Sequence, residues 1–210
     1  IPEGIKLTVK SGARVLFQGV LIVDGKTSGN VVCPPMVETL ALSGPATVAA
    51  GRSVTLTPAV TPSGAKLAYL EWYSSDTSVA TVNGKGVVTG GRVDMPTEVT
   101  ITAEAMDGSG VSADYKLTVT PVAYRVALMQ GETELGGSLT VDFEKTKSLA
   151  LSAKVLPAVV SQSVTWSTSD KKIAAVDASG GVTILKTGSA TITATTADGS
   201  LRSSCRSRRD

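Results

Sequence analysis

Histidine is absent from this 210-residue chain. That excludes Ser-His-Asp and Cys-His catalysis, and every zinc site that needs imidazole. Aromatic residues make up only 4%, so a core must be filled mainly by small aliphatic side chains. Cysteine occurs twice, at Cys33 and Cys205. In two domains placed end to end, these would stand far beyond the roughly 7 Å Cα separation that a disulfide spans. Both are read as free thiols, or as partners for cysteines outside the chain. No stretch approaches the ~18 consecutive apolar residues of a membrane-spanning helix, so no direct membrane insertion is expected. The chain opens on Ile1 with no signal-like leader, as expected of a processed product or a segment excised from a longer polypeptide.

Basic charge is scarce outside the C-terminus. Residues 202–210 hold four Arg and one Asp, and the rest of the chain has 16 basic against 17 acidic residues. A near-neutral body gives no footprint for nucleic acid. The cluster Arg206, Arg208 and Arg209 reads as a solvated tail.

What the chain has is a repeat. Glu71-Trp72-Tyr73-Ser74-Ser75-Asp76-Thr77-Ser78-Val79-Ala80-Thr81-Val82 matches Thr165-Trp166-Ser167-Thr168-Ser169-Asp170-Lys171-Lys172-Ile173-Ala174-Ala175-Val176 at an offset of 94 residues. Upstream, the segment from Val54 to Pro62 aligns with Leu149 to Pro157 at offset 95. Downstream, Val99 to Ala103 aligns with Ala190 to Ala194, and Asp107-Gly108-Ser109 with Asp198-Gly199-Ser200, both at offset 91. The offset changes between strands, where loops absorb insertions cheaply. A period near 90 residues is one small domain rather than a solenoid unit.

Within each repeat, apolar residues alternate with Thr, Ser or Lys. Val54 and Leu56, then Val99, Ile101 and Ala103, then Tyr115, Leu117 and Val119 follow period 2. With 21 Gly and 9 Pro supplying turns, this predicts all-β antiparallel sandwiches of about seven strands each. The expected division is an N-terminal β segment over 1–35, one sandwich over 36–120 and a second over 121–210. In the second, the last strand looks degenerate, frayed or truncated, because Cys205, Ser207 and Arg209 stand where Tyr115, Leu117 and Val119 stand in the first. The short link Thr120-Pro121-Val122 marks the boundary, and an end-to-end arrangement is expected.

Trp72 and Trp166 sit on alternating strands at the same place in both repeats. They are assigned to the core with Val82 and Val176; stacking of exposed indoles on sugars is the alternative. Asp76 and Asp170 follow a strand and precede a small turn. An Asp there accepts backbone N–H bonds and caps a helical turn; calcium ligation is the alternative. Gly84-Lys85-Gly86 and Gly90-Gly91 lack the Gly-Lys-Ser/Thr ending of a phosphate loop and read as hairpin turns. The segment Gly90 to Pro96 is three residues longer than its counterpart. If a binding loop exists, Gly90, Arg92, Asp94 and Met95 are its candidates; a plain insertion is the simpler reading. The acidic residues Glu71, Asp76, Asp94, Glu98, Glu104, Asp107 and Asp114 form no readable catalytic constellation. No catalytic residue, cofactor site or metal site is assigned.

The order Trp72 to Val82, Gly86 to Gly90 and Val99 to Ala103, repeated as Trp166 to Val176, Gly181 to Thr183 and Gly188 to Thr195, resembles the bacterial immunoglobulin-like domains of group 2. The resemblance covers about residues 37–205. It implies tandem immunoglobulin-like sandwiches without enzymatic activity. It further implies a structural or presentation module of a bacterial cell-surface or adhesin-like protein, extracellular and joined to the remainder of a longer polypeptide. Display on a phage tail or capsid protein is the alternative, with location on the virion. A carbohydrate-binding accessory of a secreted enzyme is a weaker one. A host-surface, protein or glycan ligand is compatible with any of these.

Overall fold

The computed structural model describes residues 35–65, 70–140 and 146–208. The expected N-terminal segment 1–35, apart from Pro35, and Cys33 lie outside the described residues. Two compact units meet in the chain between Thr120 and Pro121.

The first unit runs through β1 (Thr39–Ser43), β2 (Thr47–Ala49), β3 (Ser53–Thr55), β4 (Thr57–Thr61), β5 (Leu70–Ser74), β6 (Ala80–Val82), β7 (Val87–Gly90), β8 (Thr97–Ala105) and β9 (Ser112–Thr120). One layer is the four-stranded sheet β2-β9-β8-β5; the other combines β3-β7-β6 with the ladder β1-β4. The second unit repeats these nine strands in order and adds one short strand, Thr133–Glu134. It contains β10 (Arg125–Gln130), β11 (Thr133–Glu134), β12 (Ser138–Thr140), β13 (Ser148–Ala150), β14 (Ser152–Leu156), β15 (Val164–Thr168), β16 (Ala174–Val176), β17 (Gly181–Ile184), β18 (Ala190–Thr196) and β19 (Arg202–Arg208). Its sheets are β12-β19-β18-β15, β13-β17-β16 and β11-β10-β14. Pairing is antiparallel except at one edge of each unit. There β2 runs parallel to β9, and β12 parallel to β19. The fold is all-β, an immunoglobulin-like sandwich twice over.

The core follows from the alternation. On β8, Val99, Ile101, Ala103 and Ala105 are buried, and on β18 Ala190, Ile192, Ala194 and Thr196 are buried. The residues between them face outward, as the pleat requires. Leu117 and Val119 of β9 and Val88 of β7 complete the first core. In the second, Leu128, Leu151, Val155 and Val182 do the same, with Trp166, Ile173 and Val176 packed against them.

Two segments read as single strands in the sequence are broken. Leu56 falls between β3 and β4, and Leu151 between β13 and β14; each is buried. On one side of the break the chain pairs with β7 or β17, on the other with β1 or β10. At the switch, the amide of Leu56 donates to the Gly86 carbonyl, and that of Leu151 to the Gly180 carbonyl, both at 2.9 Å. Each unit also has a cis peptide at the matching proline, Thr61–Pro62 and Leu156–Pro157.

The last strand of the second unit keeps few apolar side chains, yet it is paired. β19 pairs with β18 from Arg202 to Ser207 and with β12 at Arg206 to Arg208. Ladder hydrogen bonds come from the backbone and do not need apolar side chains. Leu201 and Cys205 provide the inward contacts: Cys205 is buried in the core cluster and Leu201 packs against it.

Candidate functional site

The distinctive motif builds the same arrangement twice. In the first unit, β5 carries Trp72 over the turn that joins β6 and β7. Asn83 organises that turn: its Oδ1 accepts the amides of Lys85 at 2.9 Å and Val87 at 3.1 Å. Gly86 closes the turn with φ of +73°. A Cβ on Gly86 would lie 2.8 Å from the Trp72 ring and 2.9 Å from the Leu56 carbonyl oxygen. The second unit substitutes Asp177, whose Oδ1 accepts from the amides of Ser179 at 2.8 Å and Gly181 at 2.9 Å. Gly180 has φ of +88°, and a Cβ there would collide with the Leu151 carbonyl oxygen and lie 2.9 Å from the Trp166 ring. Both indoles are half-buried rather than enclosed, as are Val82 and Val176. The fully buried residues of the motif are Ala80 and Ala174.

The aspartates act as turn caps. Asp76 Oδ1 accepts from the amide of Ser78 at 2.9 Å and from its hydroxyl at 2.6 Å; Asp170 Oδ1 accepts from the amide of Lys172 at 2.8 Å. The Ser78 hydroxyl and amide hold the Asp76 carboxyl below its ordinary range. Asp198 is held down to about 2 by the hydroxyls of Thr196 and Ser200 and the amide of Ser200. Its counterpart Asp107 would be raised by burial, but the Ser109 side chain and the amides of Val37 and Ser109 outweigh that and lower it. Each of these carboxylates accepts from donors two residues away or across a loop. Among the described residues no three His, Cys, Asp or Glu side chains gather as a metal site.

The candidate binding loop divides. Gly90 is the last residue of β7 and is buried. Its amide donates to Arg52 and its carbonyl accepts from Gly51, so it belongs to the scaffold. Arg92 and Asp94 are exposed, and Met95 is 63% exposed.

The acidic residues that looked scattered in sequence are partly gathered by the pleat. Glu71, Glu98, Glu104 and Asp114 all project from the outer face of the sheet β2-β9-β8-β5. Glu71 and Glu104 are direct register partners, where like charges repel. Tyr73, 45% exposed, lies beside them and donates its hydroxyl to Glu71 Oε2 at 2.7 Å. That bond, with partial burial and the charges of Glu71 and Glu104, raises the phenol above its ordinary value. Thr102 donates to Asp114 at 2.7 Å, and Lys116 pairs with Glu98 at 2.9 Å. The sequence signal was present as the outward parity of Glu71 on β5, Glu98 and Glu104 on β8 and Asp114 on β9, but the strand order that joins these three was not.

The bacterial Ig-like domain (group 2) family matches residues 37–116 and 138–207. An uncharacterized protein of Clostridium acetobutylicum is 36% identical over 152 residues, 72% of this chain and 15% of that protein. A lacto-N-biosidase of Bifidobacterium bifidum is 40% identical over 84 residues, 40% of this chain and 7% of that protein. Ice-binding protein 1 of Shewanella frigidimarina is 36% identical over 126 residues, 59% of this chain and 14% of that protein. The chain thus spans a small part of these relatives. Among solved structures, mouse cadherin-23 EC22-24 aligns with TM-score 0.46 and 15% identity, covering 82% of this chain and 67% of that one. A C-terminal fragment of intimin in complex with the intimin-binding domain of its translocated receptor aligns with TM-score 0.42 and 17% identity, covering 78% and 62%.

Proposed function

Because the chain belongs to the bacterial Ig-like domain (group 2) family, we propose that it is a non-enzymatic structural and presentation module of a longer, extracellular bacterial surface protein. One observation carries the reading. The same kind of module occupies 15%, 7% and 14% of three relatives, two of which bear unrelated names, a biosidase and an ice-binding protein. A segment shared by proteins named for such different tasks supports a role common to all of them, that of spacing and presenting the remainder. The residues repeated in both units support it too: Trp72 and Trp166 with Gly86 and Gly180, and Asp76 with Asp170, hold turns and layers together rather than converge on a cleft. The partner is accordingly the rest of the polypeptide, with no cofactor.

The reading is tested by changing length in the parent protein. Deleting residues 121–208 should lower access of an antibody to the distal part of the protein on intact cells, and duplicating them should raise it. Equal access in both variants would refute a spacer.

A further inference from the structure

We propose that the outer face of the β2-β9-β8-β5 sheet docks onto the outer face of the β12-β19-β18-β15 sheet of a second copy of this chain. The two sheets are built on one plan, row for row, and differ chiefly in charge. In the first unit one row reads Glu71, Glu104 and Ser112 across β5, β8 and β9; in the second the same row reads Thr165, Thr195 and Arg202. The next is Tyr73, Thr102 and Asp114 against Ser167, Thr193 and Ser204. In the third, Thr100 and Lys116 answer to Thr191 and Arg206. That the rows are equivalent is fixed by a shared detail. The Thr100 amide donates to Ser75 Oγ at 3.0 Å, and the Thr191 amide to Ser169 Oγ at 2.9 Å.

The first face therefore holds four carboxylates and one ammonium: Glu71, Glu98, Glu104, Asp114 and Lys116. The second holds Arg202 and Arg206 in a field of hydroxyls, with no acidic side chain among its described residues. The whole sequence shows the same division. Residues 36–120 carry five basic and eight acidic side chains, a net of −3, and residues 121–210 carry eleven and eight, a net of +3.

Glu71 and Glu104, set directly opposite each other, repel within one chain; an arginine from outside relieves that repulsion. Guanidinium is suited to the place. It can fork onto a carboxylate and lie on the neighbouring Tyr73 ring. A second copy is the occupant because the complementary face is present on every copy, on the same lattice of rows. Since the two faces differ, the contact is heterologous and each copy can offer both halves. Each outward residue covers ~33 Å², from strands ~4.8 Å apart and ~6.8 Å between same-face neighbours; β5 and β2 span only part of the rows that β8 and β9 carry, so the face covers about 360 Å² a side. Roughly 700 Å² in total lies below the standard size of a specific interface, so the contact is weak, held by charge and sensitive to salt.

Sedimentation velocity on the full chain tests this, with protein up to about 1 mM. Self-association is expected in about 20 mM salt and should weaken at least tenfold in about 500 mM salt. Glu71→Lys with Glu104→Lys gives a chain with two basic faces; Arg202→Glu with Arg206→Glu gives one with two acidic faces. Neither should associate alone, and an equimolar mixture should. If one pair lowers the thermal midpoint, Glu98→Lys with Asp114→Lys repeats the test on the same acidic face. A wild-type chain that stays monomeric in low salt, variants that associate as the wild type does, or a mixture that stays monomeric would each overturn the proposal.

Discussion

At the scale of single residues, the glycines under the tryptophans make the sharpest prediction. Gly86 and Gly180 combine a left-handed backbone with a Cβ position already occupied by an indole and a carbonyl oxygen. A side chain in that backbone region costs about 1–2 kcal/mol, and overpacking adds about 1–3 kcal/mol. Gly86→Ala and Gly180→Ala should therefore each destabilise their own unit by about 2 kcal/mol or more in urea unfolding, and an unchanged midpoint would contradict the packing described. Trp72→Ala and Trp166→Ala should destabilise by less than the ~3–5 kcal/mol of a fully buried aromatic, because each ring is only partly buried. Asp198 makes a prediction about pH. Its folded-state pKa, about 2, lies below the unfolded value of about 4. The carboxylate therefore stabilises the fold above about pH 4, and the contribution is lost as pH falls toward 2. The thermal midpoint of Asp198→Asn should lie below that of the wild type at pH 6, and the gap should close as the pH approaches 2. A gap that stays constant would show that Asp198 is not held by Thr196 and Ser200.

At the scale of strands, β19 shows how backbone pairing and side-chain pattern separate. Its inward side is carried by Leu201 and Cys205, and burial pushes the Cys205 thiol above its ordinary pKa. In a Cys33→Ser background, a thiol reagent should label Cys205 only after denaturation; rapid labelling of the folded chain would mean that β19 is detached. The sequence alone revealed the alternation on β8, β9 and β18, because β8 and β18 bury one face almost throughout and β9 buries Leu117 and Val119. It said least at β19, a polar, Arg-rich last strand whose side chains carry almost no alternation, so that its place shows only in the ladder on both sides. It also joined β3 to β4 across Leu56, since a sheet switch leaves the period-2 pattern intact on both sides of the break. The acidic face was hidden for a related reason. Glu71, Glu98, Glu104 and Asp114 lie on three strands that are far apart in the chain, and only the order β9-β8-β5 sets them side by side.

At the scale of the whole molecule, spacing and self-association are separate properties. Lateral docking depends on particular charges on two sheet faces and disappears in high salt. Spacing depends only on each unit folding with its own core. The proposed role is tested most directly by replacing residues 121–208 in the parent protein with an unrelated immunoglobulin-like domain of equal length. Antibody access to the distal region is then measured on intact cells in high salt, where the lateral contact is silent. Equal access for the replacement and the native protein is the predicted result. Access lost on replacement and restored only by the native sequence would contradict the spacer account and point to a specific binding surface within the second unit.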